Sequence, residues 1–436
     1  MFDDARSMSL FHPVLLCVVL TLPALVGVTV VVRSCSLRTL LRCAPLALGV
    51  AATAVGATMT WLAHQGLDPF TAPAWLWVSV VEAVVIVFAS IGLWRSVRWI
   101  SRGALAGSVA VAVLGVALMG NVWVHYLPTV GSAVDVAVGK GPVHETSLVR
   151  VHAMKQRASV LSQGVTFVLP RSSQDPFAAR TEYVYVPPAW FADGTGPTDV
   201  FLMMGGVINT PRDWIVSGGA IDTANNYART HGGRAPIMVF VDTTGGLSND
   251  TECVNGPRGQ AETHIVAGVP QRLHSALGAT GATGPLRFVP VGWSMGGTCA
   301  ITLAARHPHL FERFVAISPD RAPNSGGNTA ATVRGLYGGK YSELASHDPV
   351  AIFSGAATAP RFRHVKALLA AACTQRPCAS APESKSVTAL ATAAQRGGVS
   401  VTTLYQPGRH NWSFAAAVFR NVLPWLSSGP ARNAGK

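Results

Sequence analysis

Two hydrophobic rhythms divide the 436-residue chain. Up to Tyr126 the apolar positions run together in four long stretches, about Phe11–Val32, Ala44–Ala63, Ala74–Trp94 and Gly103–Tyr126. Each is close to the roughly 20 residues that a helix needs to cross the hydrocarbon of a bilayer, and Glu82 is the only acidic residue inside them. A cleaved signal peptide would account for the first stretch but not for the three that follow it. The pattern therefore predicts a four-helix transmembrane region, residues 1–126.

Beyond Tyr126 the rhythm changes. Residues 127–150, rich in Gly, Val and small side chains, read as a linker. From 151 to 428, short apolar runs of strand length alternate with helix-like stretches. Strands are predicted at Gly164–Leu169, Glu182–Val186, Asp199–Met204, Ile237–Val241, Phe288–Val291, Phe314–Ile317, Val365–Ala371 and Val399–Leu404. The first two read as an antiparallel pair. Helices are predicted at Ile221–His231, Glu262–Ala276 and Thr298–Arg306. Short apolar strands that alternate with helices imply an α/β domain, a mostly parallel sheet covered on both faces. The tail, 429–436, has the composition of a disordered end.

Composition sharpens this picture in two places. Hydrophobic residues make up 49% and charged residues 13%, too apolar for disorder and in keeping with a membrane component. The net charge of +13 is spread as single arginines, without the basic cluster interleaved with aromatics that a nucleic-acid partner requires. Arginines do cluster between the apolar stretches. Arg33, Arg38 and Arg42 separate the first two, and Arg95, Arg98 and Arg102 the last two, whereas "HQGLDPFTAP" between the second and third has none. By the positive-inside rule the arginine segments are cytoplasmic. The expectation is a multi-pass protein of the cytoplasmic membrane whose C-terminal domain is extracytoplasmic.

The chemistry is concentrated in "RFVPVGWSMGGTCAITLAARHP". A strand-like run ends at Gly292, Ser294 follows, and a helix-like stretch begins near Met295. A serine hydroxyl attacks a carbonyl only when a base removes its proton and donors hold the resulting oxyanion. A strand-turn-helix corner lifts the serine above the sheet, and its glycines remove side chains that would collide there. The helix start directs free N–H groups at the developing charge. Ser294 is the candidate nucleophile. His410, after the last strand and the Pro407–Gly408 turn, is the candidate base by chain order.

The acid must lie between them. Glu383, Asp320 at the end of "FVAISPD", and Asp348 in "ASHDPV" are the candidates, Glu383 by its position after the penultimate strand. Backbone N–H groups of Met295 and of Gly206 or Val207, in "MMGGVI", are the candidate oxyanion donors. Cys373 and Cys378 bracket "CTQRPC" and form a candidate disulfide. No second Cys or His pair has ligand spacing, so neither a metal nor a cofactor is expected.

With "GWSMGG", "GRHNWSF" and "DTTGGLSNDTECVNGPRGQAETHIVAGVP" in view, residues 164–426 resemble the putative-esterase family of α/β-hydrolases. That family includes esterase D, feruloyl esterases and the antigen 85 mycolyltransferases. In the long segment, Ala261, Glu262 and Thr263 are similar to the family's Asn–Glu–Thr pattern. The resemblance implies the α/β-hydrolase fold, Ser294 as nucleophile, His410 as base and Glu383 as an acid that is glutamate in the mycolyltransferases. It also implies an ester or lipid-like small-molecule substrate. "MMGGVI" departs from the mycolyltransferases, which carry aspartate and arginine there. The chain thus reads as a membrane-anchored actinobacterial member: an esterase first, an envelope acyltransferase second, and a non-catalytic scaffold on the same fold third.

Overall fold

The computed structural model describes residues 2–64, 69–192, 198–278, 280–281, 284–325, 327–355, 361–374, 378 and 381–427. The tail 429–436, read above as disordered, lies outside these residues. The chain forms two compact units, Met1–Lys140 and Gly141–Lys436.

The first unit holds four helices long and apolar enough to cross a membrane: Pro13–Ser34, Leu37–His64, Ala74–Leu93 and Trp99–Val124. Their outward faces expose Val14, Leu25, Leu46, Trp75, Ile91 and Val113, the surface that lipid tails would cover. Small residues bring the helices together, as expected where van der Waals packing drives association. A Cβ on Gly115 would stand 3.2 Å from the Val19 carbonyl oxygen, and one on Gly27 would stand 3.4 Å from Ile86. The second helix begins at Leu37 and not near Ala44, so Arg38 and Arg42 ride on its first turns. Long arginine stems let a helix run past the apolar zone while their heads reach water.

The structure also differs over 127–150. Val130–Ala137 is a helix, closed by a reciprocal capping box between Thr129 and Ser132. A second helix, Leu148–Gln156, starts at the Ser147 cap, before the expected domain boundary. Both are too short for their apolar periodicity to stand out, and the caps supply what periodicity does not.

The second unit is built on an eight-stranded sheet. Its strands are β1 (Val165–Val168), β2 (Tyr183–Val186), β3 (Asp199–Met204), β4 (Ile237–Val241), β5 (Arg287–Trp293), β6 (Arg313–Ile317), β7 (Lys366–Cys373) and β8 (Ser400–Pro407). Their order is β1-β2-β4-β3-β5-β6-β7-β8. β2 runs antiparallel to both neighbours, and every other pair is parallel. This is the α/β-hydrolase fold. β3 and β4 are buried at every position, which is why, Asp199 at the start of β3 apart, they read as apolar runs instead of alternating ones. Each fully buried Leu, Val or Phe here contributes about 1.5–3 kcal/mol.

The helix Met295–Arg306 lies deepest, buried from Met295 to Ala305, and its alanines allow close packing on β5 and β6. The stretch expected as one helix, Glu262–Ala276, is broken by a wide π turn over His264–Gly268 before Val269–Leu277. Pro270 lacks an N–H to continue the ladder.

Candidate active site

The corner after β5 is built from close backbone approaches. A Cβ on Gly292 would lie 1.7 Å from the Gly296 carbonyl oxygen, and one on Gly296 would lie 2.3 Å from that of Met204. Only glycine fits at either position. Ser294 itself takes φ 59° and ψ −124°, a conformation that costs a non-glycine residue roughly 1–3 kcal/mol. Its amide donates to the Ile317 carbonyl at 2.9 Å, and its carbonyl accepts from Gly297 and Thr298, so the neighbouring strand and helix hold the strain in place.

His410 leaves β8 after Gly408. Asn411 caps the helix Trp412–Ser427 by accepting from the Phe414 amide at 3.2 Å, so the imidazole is free of that duty. His410 Nε2 and Ser294 Oγ lie 2.9 Å apart, and His410 Nδ1 lies 3.1 Å from Glu383 Oε1. Glu383 occupies the first turn of the helix Pro382–Arg396, where the helix dipole favours a negative charge. Burial pushes its carboxyl up. The hydrogen bond and charge of His410 outweigh this, helped by Ser318 and by the Ala372 amide at 3.3 Å, and the net pKa falls below the ordinary glutamate value.

The other two carboxylates go elsewhere. Asp320 accepts from the Asn324 side chain at 3.0 Å, and its own amide donates to Thr298. Asp348 caps the helix Pro349–Ser354 through the Val350 amide at 2.8 Å. Among the described residues it is Glu383, and neither of these two, that pairs with His410 Nδ1.

The oxyanion expectation needs one correction. A Cβ on Gly206 would stand 3.3 Å from Ser294 Cβ, so this backbone does approach the hydroxyl. Its N–H, however, donates to Asn209 Oδ1 at 2.7 Å. The side chain three residues on takes the donor that the sequence left open, which leaves Val207 as the remaining candidate in the turn.

Several contributors escaped the sequence. The Trp293 ring lies 4.3 Å from that of His410 and is backed by Trp412 and Phe414. Trp214 packs edge-on to Trp412 and donates to the Met204 carbonyl at 2.9 Å, at the end of β3. Aromatic residues in "GWS" and "HNW" were the available signal. Cys253 pairs with Cys299, which ties the helix after Ser294 to the loop after β4; the Cys373–Cys378 pair is the one that the sequence had offered as a candidate. At the far end of the same helix Glu262 receives Arg306 at 2.7 Å and His307 at 2.7 Å. Burial would raise the Glu262 carboxyl, but these partners hold it far below the usual range. Glu262 thus anchors the helix and does not meet Ser294.

The family model described as Putative esterase matches residues 173–413, more than half of the chain and inclusive of Ser294, Glu383 and His410. The chain belongs to this esterase family. Membership makes it a hydrolase or acyltransferase. An uncharacterised protein of Corynebacterium glutamicum is 27% identical over 385 residues, 86% of this chain and 87% of its own length. That alignment is longer than the Gly141–Lys436 unit, so the likeness reaches into the four-helix unit. Among solved structures, an S-formylglutathione hydrolase from Agrobacterium tumefaciens is similar with a TM-score of 0.49 and 18% identity, covering 61% of this chain and 96% of that one. Mycobacterium tuberculosis MPT51 is similar with a TM-score of 0.42 and 19% identity, covering 60% and 96%.

Proposed function

We propose that this family member is a membrane-anchored serine esterase that acts outside the cytoplasmic membrane through an acyl-enzyme. In this reading Ser294 Oγ attacks the ester carbonyl while His410 Nε2 takes its proton. Glu383 holds the imidazole by Nδ1 and stabilises the imidazolium. The Met295 and Val207 N–H groups receive the oxyanion. The tetrahedral adduct collapses, the imidazolium returns the proton to the departing alcohol, and the acyl group stays on Ser294. Water then enters, His410 deprotonates it, and the carboxylic acid leaves. The single observation that carries the reading is the chain Ser294–His410–Glu383, with links of 2.9 and 3.1 Å.

The test is labelling with a fluorophosphonate probe. The enzyme forms a covalent adduct that Ser294→Ala loses; an adduct that persists in the variant removes Ser294 from its role, and a parent that never labels favours a scaffold.

Transfer of the acyl group to an alcohol is the second reading. The His410 side chain keeps 36% of its surface exposed, enough for an acceptor larger than water to reach the imidazole. Product analysis with added glycerol separates the two, since transfer requires acylglycerol in excess of free acid.

The extracytoplasmic placement is supported by two features. Arg33, Arg38 and Arg42 stand around 35–36 and Arg95, Arg98 and Arg102 in and just after 94–98, whereas 65–73 has no Lys or Arg. Both disulfides lie in the second unit, and Cys17, Cys35 and Cys43 of the first are free, as an oxidising compartment on the enzyme's side would give. A periplasm-activated reporter fused after Lys436 is expected to signal, and a signal from a cytoplasm-activated reporter alone would reverse the topology.

A further inference from the structure

We infer that Arg180 is a positioning residue for the Gly205–Asn209 turn, and through it for the amide that receives the oxyanion. The inference rests on the reading of Ser294 given above. Arg180 lies between β1 and β2, far along the chain from the corner. Its Nη2 donates to the Asn209 carbonyl at 2.7 Å, to Asp242 Oδ1 at 2.6 Å and to Thr244 Oγ1 at 2.6 Å. Its Nε donates to Asp242 Oδ2 at 3.0 Å, and its own amide to the same oxygen at 2.6 Å.

The anchor is rigid. Asp242 follows β4 directly, is fully buried, and also accepts from the Thr244 and Gly245 amides at 3.2 Å. Its own amide donates to Glu182 Oε1 at 2.9 Å, which joins it to a buried group of Glu182, His264 and Arg272. Arginine suits this place because its planar fork serves the carboxylate two-fold and still presents an N–H to a third acceptor.

Asn209 passes the restraint on. It is held by Arg180 at its carbonyl, its amide donates to the Gly206 carbonyl at 3.1 Å, and its side chain takes the Gly206 N–H. The turn is packed between Asn209 and the nucleophile. A Cβ on Gly205 would lie 2.8 Å from Asn209 Cβ, and one on Gly206 would lie 3.3 Å from Ser294 Cβ. A shift of Asn209 therefore moves the peptide that touches Ser294. Satisfying Gly206 from Asn209 fixes the turn with Val207 as the next amide along. An oxyanion donor works only when it is fixed before the charge appears, and Arg180 supplies that fixation from the sheet.

The test uses the full-length protein in detergent, a soluble p-nitrophenyl ester, and rates expressed per site titrated with fluorophosphonate. Loss of a whole oxyanion donor costs about 10²–10³-fold in kcat; loosening one through its support is expected to cost about tenfold to a hundredfold. Arg180→Gln and Asn209→Ala each lower kcat in that range with KM within about threefold, and an alkylboronic acid that mimics the tetrahedral adduct loses affinity in the same proportion. The double variant falls no lower than the worse single one, because both break the same clamp. Millimolar guanidinium restores part of the rate in Arg180→Ala. Asn209→Ala leaves the Arg180–Asp242 pair whole and carries the test if Arg180 variants unfold. A kcat within twofold of the parent in Asn209→Ala, multiplied losses in the double variant, or unchanged boronate affinity would overturn the clamp alone. Activity retained by Ser294→Ala would instead remove the nucleophile reading, and the clamp with it.

Discussion

Glu383 Oε1 stands 3.1 Å from His410 Nδ1, although the two residues leave different strands of the sheet, β7 and β8. Because β7 and β8 run parallel and side by side, their C-terminal exits open at the same edge, and an acid after one meets a base after the other. Glu383→Gln should lower kcat about 10³–10⁴-fold with little change in KM, since the amide cannot stabilise the imidazolium. Asp320→Asn should stay within about twofold of the parent. Asp348→Ala should do the same for kcat and cost about 1 kcal/mol of stability through its lost cap. Steady-state kinetics on purified variants checks all three, and a large loss in Asp320→Asn would move the acid there.

The corner glycines make a sharper steric prediction. Gly296→Ala places a methyl 2.3 Å from the Met204 carbonyl oxygen, and no flexible side chain can retreat from it. Either β3 and β5 separate or the corner rebuilds, and both move Ser294 off His410. Fluorophosphonate labelling should fall by at least a hundredfold, with a lower Tm. Ordinary labelling by Gly296→Ala would show the corner to be softer than its contacts imply.

What the sequence made legible follows from range. β4 is apolar at each position, and β3 and β6 are apolar after their first residues, Asp199 and Arg313, because both faces are covered, so their apolar runs located them. Ser294 and His410 were readable because the glycine spacing and the chain order are properties of the sequence itself. The Cys253–Cys299 pair spans 46 positions and could not be read, since only the packing of the loop after β4 on the helix Met295–Arg306 brings the sulfurs together. Asn209 in place of a free Gly206 amide was invisible for a related reason: a side chain folding back three residues leaves no periodic trace. The helix Val130–Ala137 was lost to the linker because its cap, Thr129, is an ordinary residue until the turn forms.

The two disulfides should differ in worth. Loop-closure entropy grows with the length enclosed, so the 46-residue separation of Cys253 and Cys299 corresponds to about 4 kcal/mol and the 5-residue separation of Cys373 and Cys378 to about 2 kcal/mol. Thermal unfolding of the paired alanine variants in detergent should rank them in that order. The shorter bridge lies in the connection from β7 to Glu383, so its removal should lower kcat more than it lowers Tm. The reverse ranking would mean that the unfolded chain retains the longer contact without its bond.

The buried group around His264 gives stability a definite dependence on pH. His264 Nδ1 lies 2.7 Å from Asp175 Oδ2, and Nε2 lies 3.1 Å from Glu182 Oε1. Burial alone would lower the imidazole pKa, but the two carboxylates outweigh it and push it up to about 9, against 6.5 for the free side chain. The folded state thus binds this proton more tightly than the unfolded chain. The resulting stability, on the order of 3 kcal/mol at most, is complete below about pH 6.5 and is lost as pH rises through about 9. Asp250, pushed up to about 6 by burial, and Glu252, raised by burial and by Asp250, also favour the folded state at lower pH. They are common to parent and variant, so a difference measurement cancels them. The Tm gap between the parent and His264→Gln should be widest near pH 6 and should narrow toward pH 10. A gap that stays constant, or widens with pH, would mean that His264 is held neutral between the two carboxylates.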